Sequence, residues 1–345
     1  MLATLYQVFD KLQIILLLSL ILYGLDRSGF INLIIRPISY IKFLKLVLVF
    51  WFLIGSIVSS VFTDLTAAAI LLPLLLSYLS SCHIYKNKEL LITSLVFGIC
   101  AGGDITMYGG GDNLVAIGLF KTQFGIPFTN LMWTKYLLPP TLIIMIIIII
   151  ILCRFIVPED IDYTYERKRT TDIFNSILLL IGIVFIFAEN ELVSWILLFV
   201  VAWNLKAVKD MVKNAPYKAM AIWTICFFAG KIIGDIFKLL PLDMISNYAG
   251  AEYVIAGIAA FMTIFCTNTM TASALIGITY SIFGANLPVI TLVLKSINVG
   301  YLTVYHNTCL SLANGYGLSQ KTLFKYGTIV LIPQLLVNVI WYWIC

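Results

Sequence analysis

F-T-D-L-T-A-A-A-I-L-L-P (residues 62–73) interrupts a long hydrophobic run with a polar tip, and T-N-T-M-T-A-S-A-L-I (267–276) does the same in the other half of the chain. Each is followed by a second interruption: G-G-D-I-T-M-Y-G-G-G-D-N (102–113) in the first half and Y-H-N-T-C-L-S-L-A-N-G-Y-G (305–317) in the second. Backbone that leaves a helix inside a bilayer must satisfy its N–H and C=O groups from protein or from water in a cavity. Such breaks are therefore expected only where they are buried or line a solute path. Their pairing predicts two internal repeats with a transport site at the repeat interface.

Composition agrees with that reading. The 345 residues are 61% hydrophobic and 11% charged, with a mean hydropathy of +1.01, far from the range of soluble domains. The apolar runs are continuous instead of alternating, which predicts an all-α polytopic membrane protein and excludes a β-barrel. Residues 131–157, 217–238 and 322–344 read as full spans, and 12–25, 173–188 and 192–205 as shorter ones. The first apolar stretch has no basic leader, since Asp10 precedes Lys11, and reads as a retained helix.

The hydrophilic segment 158–172 is expected to be a cytoplasmic linker. It divides the chain into a first repeat (1–157; hairpin about 46–82, broken helix about 90–125) and a second (173–345; hairpin about 251–284, broken helix about 288–317). The two spans that precede the second set cross out and back, so the repeats are expected to be inverted, one hairpin entering from each face. Most of the 22 basic residues, among them Arg36, Lys86, Arg167, Lys209 and Lys325, fall on one side of this topology. The positive-inside rule makes that side cytoplasmic, in an inner or plasma membrane, with both termini outside. The net charge of +5 is explained by these loops and calls for no nucleic acid. The seven cysteines are scattered singly, without a zinc or disulfide pattern.

Tips rich in Thr and Asn offer neutral oxygens, and unwound backbone adds carbonyls, a donor set for a monovalent cation such as sodium. The same breaks expose helix N-termini, whose free N–H groups suit a carboxylate or sulfate. Gly109, Gly110 and Gly111 would let the backbone approach an ion, whereas Gly102 and Gly103 fit tight helix packing. No cofactor or acid–base constellation of an enzyme is apparent.

These motifs resemble the divalent-anion/sodium symporters, the family of dicarboxylate, citrate and sulfate transporters within the ion transporter superfamily. T-N-T-M-T-A-S (267–273) is similar to that family's S-N-T-A-T-A-A tip, and 102–113 to its G-G-x-x-T-x-x-G-T-x-P-N element. Asn307 falls on the Asn of the second copy. The resemblance implies an elevator-type transporter, usually a homodimer, taking up a small anionic solute with Na+ (or H+) as coupling ion. It assigns Thr63, Asp64 and Asn113 to a first cation site and Thr267, Asn268 and Asn307 to a second. It also turns the tips Thr63–Leu65 and Thr267–Thr269 toward the substrate's carboxylates. The chain departs from the pattern at Asp64 and Leu65, which stand for Asn and Thr, and at Asp112 and His306, which stand for prolines.

Charged groups at membrane depth need a partner, an ion or a water path. Asp64, Asp104, Asp112 and Lys295 are such groups, with His306 beside a break. Lys295 is expected to neutralise Asp104 or Asp112 across the repeats, and Lys231 and Asp235, four residues apart, to pair within the scaffold. A surplus of carboxylates also fits a second function, cation/proton antiport in the same superfamily.

Overall fold

The computed structural model describes residues 2–107, 109–113, 115–117, 129–161, 172–187, 190–213, 215–218, 220–221, 224–225, 228, 232 and 249–345. Among them the regular structure is α-helical, with no strand. The order is α1 (Leu2–Arg27), α2 (Phe30–Ser39), α3 (Leu44–Val61), α4 (Asp64–Ser81), α5 (Lys88–Gly103), α6 (Asn130–Tyr136), α7 (Leu138–Cys153) and α8 (Ile173–Phe187). It continues through α9 (Glu191–Asn204), α10 (Val208–Lys213), α11 (Ala251–Met262), α12 (Asn268–Phe283), α13 (Leu287–Ile297), α14 (Thr308–Gly315) and α15 (Gln320–Ile344). A further helical stretch starts at Gly111.

Helices α3, α4 and α15 are each long and apolar enough to cross a membrane, and α7, α8, α9, α11 and α13 are shorter apolar helices. Large apolar side chains stand exposed along them, among them Leu53 and Ile57 on α3, Ile146 and Ile150 on α7, and Ile332, Leu336 and Ile340 on α15. Water would oppose such a surface, whereas lipid tails accept it.

The hairpin α3–α4 turns at Phe62 and Thr63, and α11–α12 turns through 263–267. Helices α3 and α5 pack along one another extensively. Gly98 and Gly102 make it possible: a Cβ on either would overlap the backbone of Phe52 or Ser56. Ser94 Oγ donates to Leu48 O (3.0 Å) and Ser56 Oγ to Gly98 O (2.9 Å), small residues letting two backbones meet and then bonding across the seam. Helix α14 packs on α4 and α5, and α15 on α7 and α13, so helices of the first and second halves interlock.

One reading of the sequence needs correction, and two features went unread. The span 131–157 is two helices, because Pro139 and Pro140 occupy the first turn of α7, where their missing N–H groups are tolerated but a continuing helix is not. The short helix α2, which carries Pro37, was not read from the sequence at all. Cys100 and Cys309, far apart in sequence, meet in space: their Sγ atoms lie 3.2 Å apart across α5 and α14, both as free thiols. Most of 217–238 and of the linker, together with Lys231 and Asp235, lies outside the described residues.

Candidate functional site

Both hairpin tips are built alike. Thr63 (φ −66°, ψ 151°) and Thr267 (φ −70°, ψ 151°) are N-caps in the same extended conformation, each side chain accepting the N–H three residues on, from Thr66 (3.5 Å) and Met270 (3.4 Å). The next residue in each tip hydrogen-bonds a break: Asp64 N–H donates to Gly109 O (3.2 Å) and Asn268 N–H to His306 O (3.0 Å). Leu65 and Thr269 follow at equivalent positions. A helix start leaves its first N–H groups without intrahelical partners, and among the described residues those of Leu65 and Thr269 are not taken up by the cap or the break.

The breaks are equally paired. Helix α5 ends on the C-cap Asp104 and α13 on the C-cap Asn298, and the chains resume helical form at Gly111 and Thr308. The second break is three residues longer. Asn113 and Asn307 each lie nine residues beyond their C-caps, so a linear reading pairs them, yet they do different work. Asn113 Nδ2 donates to Gly103 O (2.8 Å) and Thr106 O (3.0 Å), closing its own break. Asn307 caps α14 through its Oδ1, which accepts from Cys309 N–H (3.0 Å), and reaches across to Asp64 with its Nδ2 (2.6 Å).

Asp64 thus sits buried at the crossing of both halves. Its Oδ1 accepts from Ser59 Oγ (2.6 Å) and its Oδ2 from Asn307, both neutral donors, and among the described residues it forms no ion pair. Gly103 packs directly on this carboxylate, where a Cβ would collide with Oδ1. Gly109 lies among the carbonyls of Gly103 and Ser59, which leave no room for a side chain.

A second polar centre forms around Asn298. Its Nδ2 donates to Asp104 Oδ1 (2.8 Å) and Asp112 Oδ2 (2.7 Å), while its Oδ1 accepts from Asn268 Nδ2 (2.5 Å), so both amide hydrogens and the carbonyl are used. Lys295, 3% exposed, donates to Asp104 Oδ2 at 2.9 Å and to Thr141 Oγ1. Trp133 Nε1 donates to the carbonyl of Asp104 (3.1 Å). Thr269 lies over Gly111, where a Cβ would meet its Oγ1 at 2.6 Å. Each tip therefore touches the break of the other half as well as its own.

Of the residues singled out from sequence, Leu65 is buried in the larger hydrophobic core. The ring of His306 is buried edge-on to Tyr301, with Nε2 lacking a partner among the described residues, and it is the backbone carbonyl of His306 that meets the tip. Ser59, Thr141 and Asn298 were missed. Asn298 carried a readable signal, an amide ending the apolar run I-T-L-V-L-K-S-I just after the buried Lys295. Among the described residues no group of three His, Cys, Asp or Glu side chains converges on one point, so no multi-carboxylate metal cage is formed.

Two capped tips, two breaks and a buried charge network thus meet where the two halves of the chain cross. The family model described as citrate transporter matches residues 4–300. The chain belongs to the citrate transporter family. That family lies in the divalent-anion/sodium symporter type of the ion transporter superfamily, and it is a family of secondary transporters of citrate or divalent anions, not of enzymes. No curated protein matches the chain.

Proposed function

We propose that this citrate transporter family member moves a small di- or tricarboxylate, or an inorganic divalent anion, across the membrane together with a monovalent cation, Na+ or H+, held at Asp64. The observation that carries the reading is the buried Asp64 carboxylate, which has only the neutral donors Ser59 and Asn307 and lies beside the N-termini of α4 and α14. When ionised, Asp64, Asp104 and Asp112 set three negative charges against the positive charge of Lys295. A dianionic solute would be repelled unless cations or protons entered with it. The N–H groups of Leu65 and Thr269 supply donors for the solute's carboxylates, and Thr63, Thr267 and Asn268 frame the same space.

In this reading residues 1–157 and 173–345 form inverted repeats, and the hairpins and broken helices move as one body against the scaffold in an elevator motion, in a homodimer of an inner or plasma membrane with both termini outside. The interlocking of each tip with the opposite half's break supports a common moving body. Proteoliposomes loaded without substrate test the proposal. Citrate, a four-carbon dicarboxylate or sulfate is expected to enter faster when an inward sodium or proton gradient is imposed, and to carry that cation in. Cation exchange driven by pH and indifferent to every anion would establish the antiporter instead, and absence of any solute-dependent flux would end both readings.

A further inference from the structure

The two tips differ in charge in a way that the matched backbone makes plain. In the first half the tip carries the carboxylate of Asp64, and the position three residues before the C-cap of its broken helix is Ala101. In the second half the tip carries the amide of Asn268, and the corresponding position before the C-cap Asn298 is Lys295. A site with a carboxylate and no cation of its own thus stands opposite one with a tethered ammonium.

We infer that Lys295 fills a cation position beside the second half's tip, its ammonium taking the place of a mobile coupling ion between Asp104 and Thr141. The surroundings are those of a cation cage. Asp104 Oδ2 lies 2.9 Å from Nζ, Thr141 Oγ1 is also bonded to it, and Asn298 ties the cage to Asp112 and to the tip through Asn268. A lysine buried to this degree is expensive unless its charge is used. Here one end of the charge network is the hairpin tip itself, so the bond Asn268–Asn298–Asp104–Lys295 gives the second tip a permanent equivalent of the ion that the first must recruit. The consequence is one exchangeable cation fewer than two matched sites would hold. The effect on coupling rests on the transport reading above, but occupancy of the cage does not.

The test therefore uses stability of the purified full-length protein in detergent, with no substrate, in sodium chloride or choline chloride at equal ionic strength. The background is Asp64→Asn, which silences the first site. In that background the melting temperature is expected to be the same in both salts. Adding Lys295→Gln empties the cage, and sodium should then raise the melting temperature saturably, by about 3 °C or more at a roughly hundredfold excess over its dissociation constant. Adding Asp104→Asn as well removes the carboxylate and should abolish the response. If the Lys295→Gln protein folds in sodium but not in choline, that is the same result in stronger form. Equal melting in the two salts, a response that persists without Asp104, or failure to fold in both salts would overturn the inference. Because no solute is present, absence of citrate transport would leave this result untouched.

Discussion

Asp64 and Asn298 are the residues on which the polar centre turns. Asp64→Asn keeps an acceptor for Ser59 but removes the charge and sets an amide against Asn307 Nδ2, so the protein is expected to fold while the coupling between cation and solute falls by roughly 5- to 150-fold. Uptake measured across a series of sodium and pH gradients checks this; an unchanged dependence on both would remove Asp64 from coupling. Asn298→Ala is a harsher change. It strands the amide of Asn268 and withdraws a donor from both Asp104 and Asp112, and a loss of about 3 kcal/mol is expected in denaturation, together with loss of uptake. Stability within a few tenths of the native protein would mean that water replaces it. Asp64 is visible in the sequence as a charge in a polar tip. The role of Asn298 is not, because its partners lie in two other segments, the first break and the second tip, far apart along the chain.

Among the elements, the α3–α5 seam and the loop that follows α4 are the most exposed to test. Gly102→Ala places a methyl group where the backbone of Ser56 already is, so α3 and α5 must separate, at an expected 1 to 3 kcal/mol, roughly, in thermal or denaturant unfolding. A neutral outcome would mean that α3 can shift freely. On the water-facing side, Glu159 accepts the N–H groups of Tyr85 (2.8 Å), Lys86 (2.9 Å) and Asn87 (3.1 Å), and Asn87 Nδ2 returns to Val157 O (2.8 Å). Partial burial works to raise the Glu159 pKa, but these donors outweigh it and hold the carboxyl below its ordinary value of 4.5. A lowered folded-state pKa means that the clamp is at full strength above the ordinary value and is lost as pH falls through the lower one. Glu159→Gln should accordingly flatten the acid limb of the melting curve, by about 1 kcal/mol given its exposure. An acid limb identical to that of the native protein would show the clamp to be idle.

At the scale of the whole molecule, the halves are joined where α14 lies on α4 and α5, and Cys100 and Cys309 mark the joint with sulfur atoms 3.2 Å apart. In a variant that keeps only these two cysteines, mild oxidation is expected to give a Cys100–Cys309 disulfide, identified by mass spectrometry, without halting uptake, since both thiols would travel in the same moving body. A disulfide that stops transport would argue that the two halves slide at this contact. The membrane class, the two tips, the two breaks and the family were all legible in the chain itself, because hydrophobic runs of spanning length and polar residues that interrupt them are local properties of a sequence. Thr63 and Thr267 stood out in the sequence as polar tip residues, and the caps they form need only the next three residues. The sequence offered Asp104 or Asp112 as the partner of Lys295; tertiary structure decided for Asp104, and it alone decided the difference in role between Asn113 and Asn307 and the hub at Asn298. These depend on a three-residue difference in break length and on which helices cross, and a hydrogen bond between residues nearly two hundred positions apart leaves no trace in either segment until the backbone has brought them together.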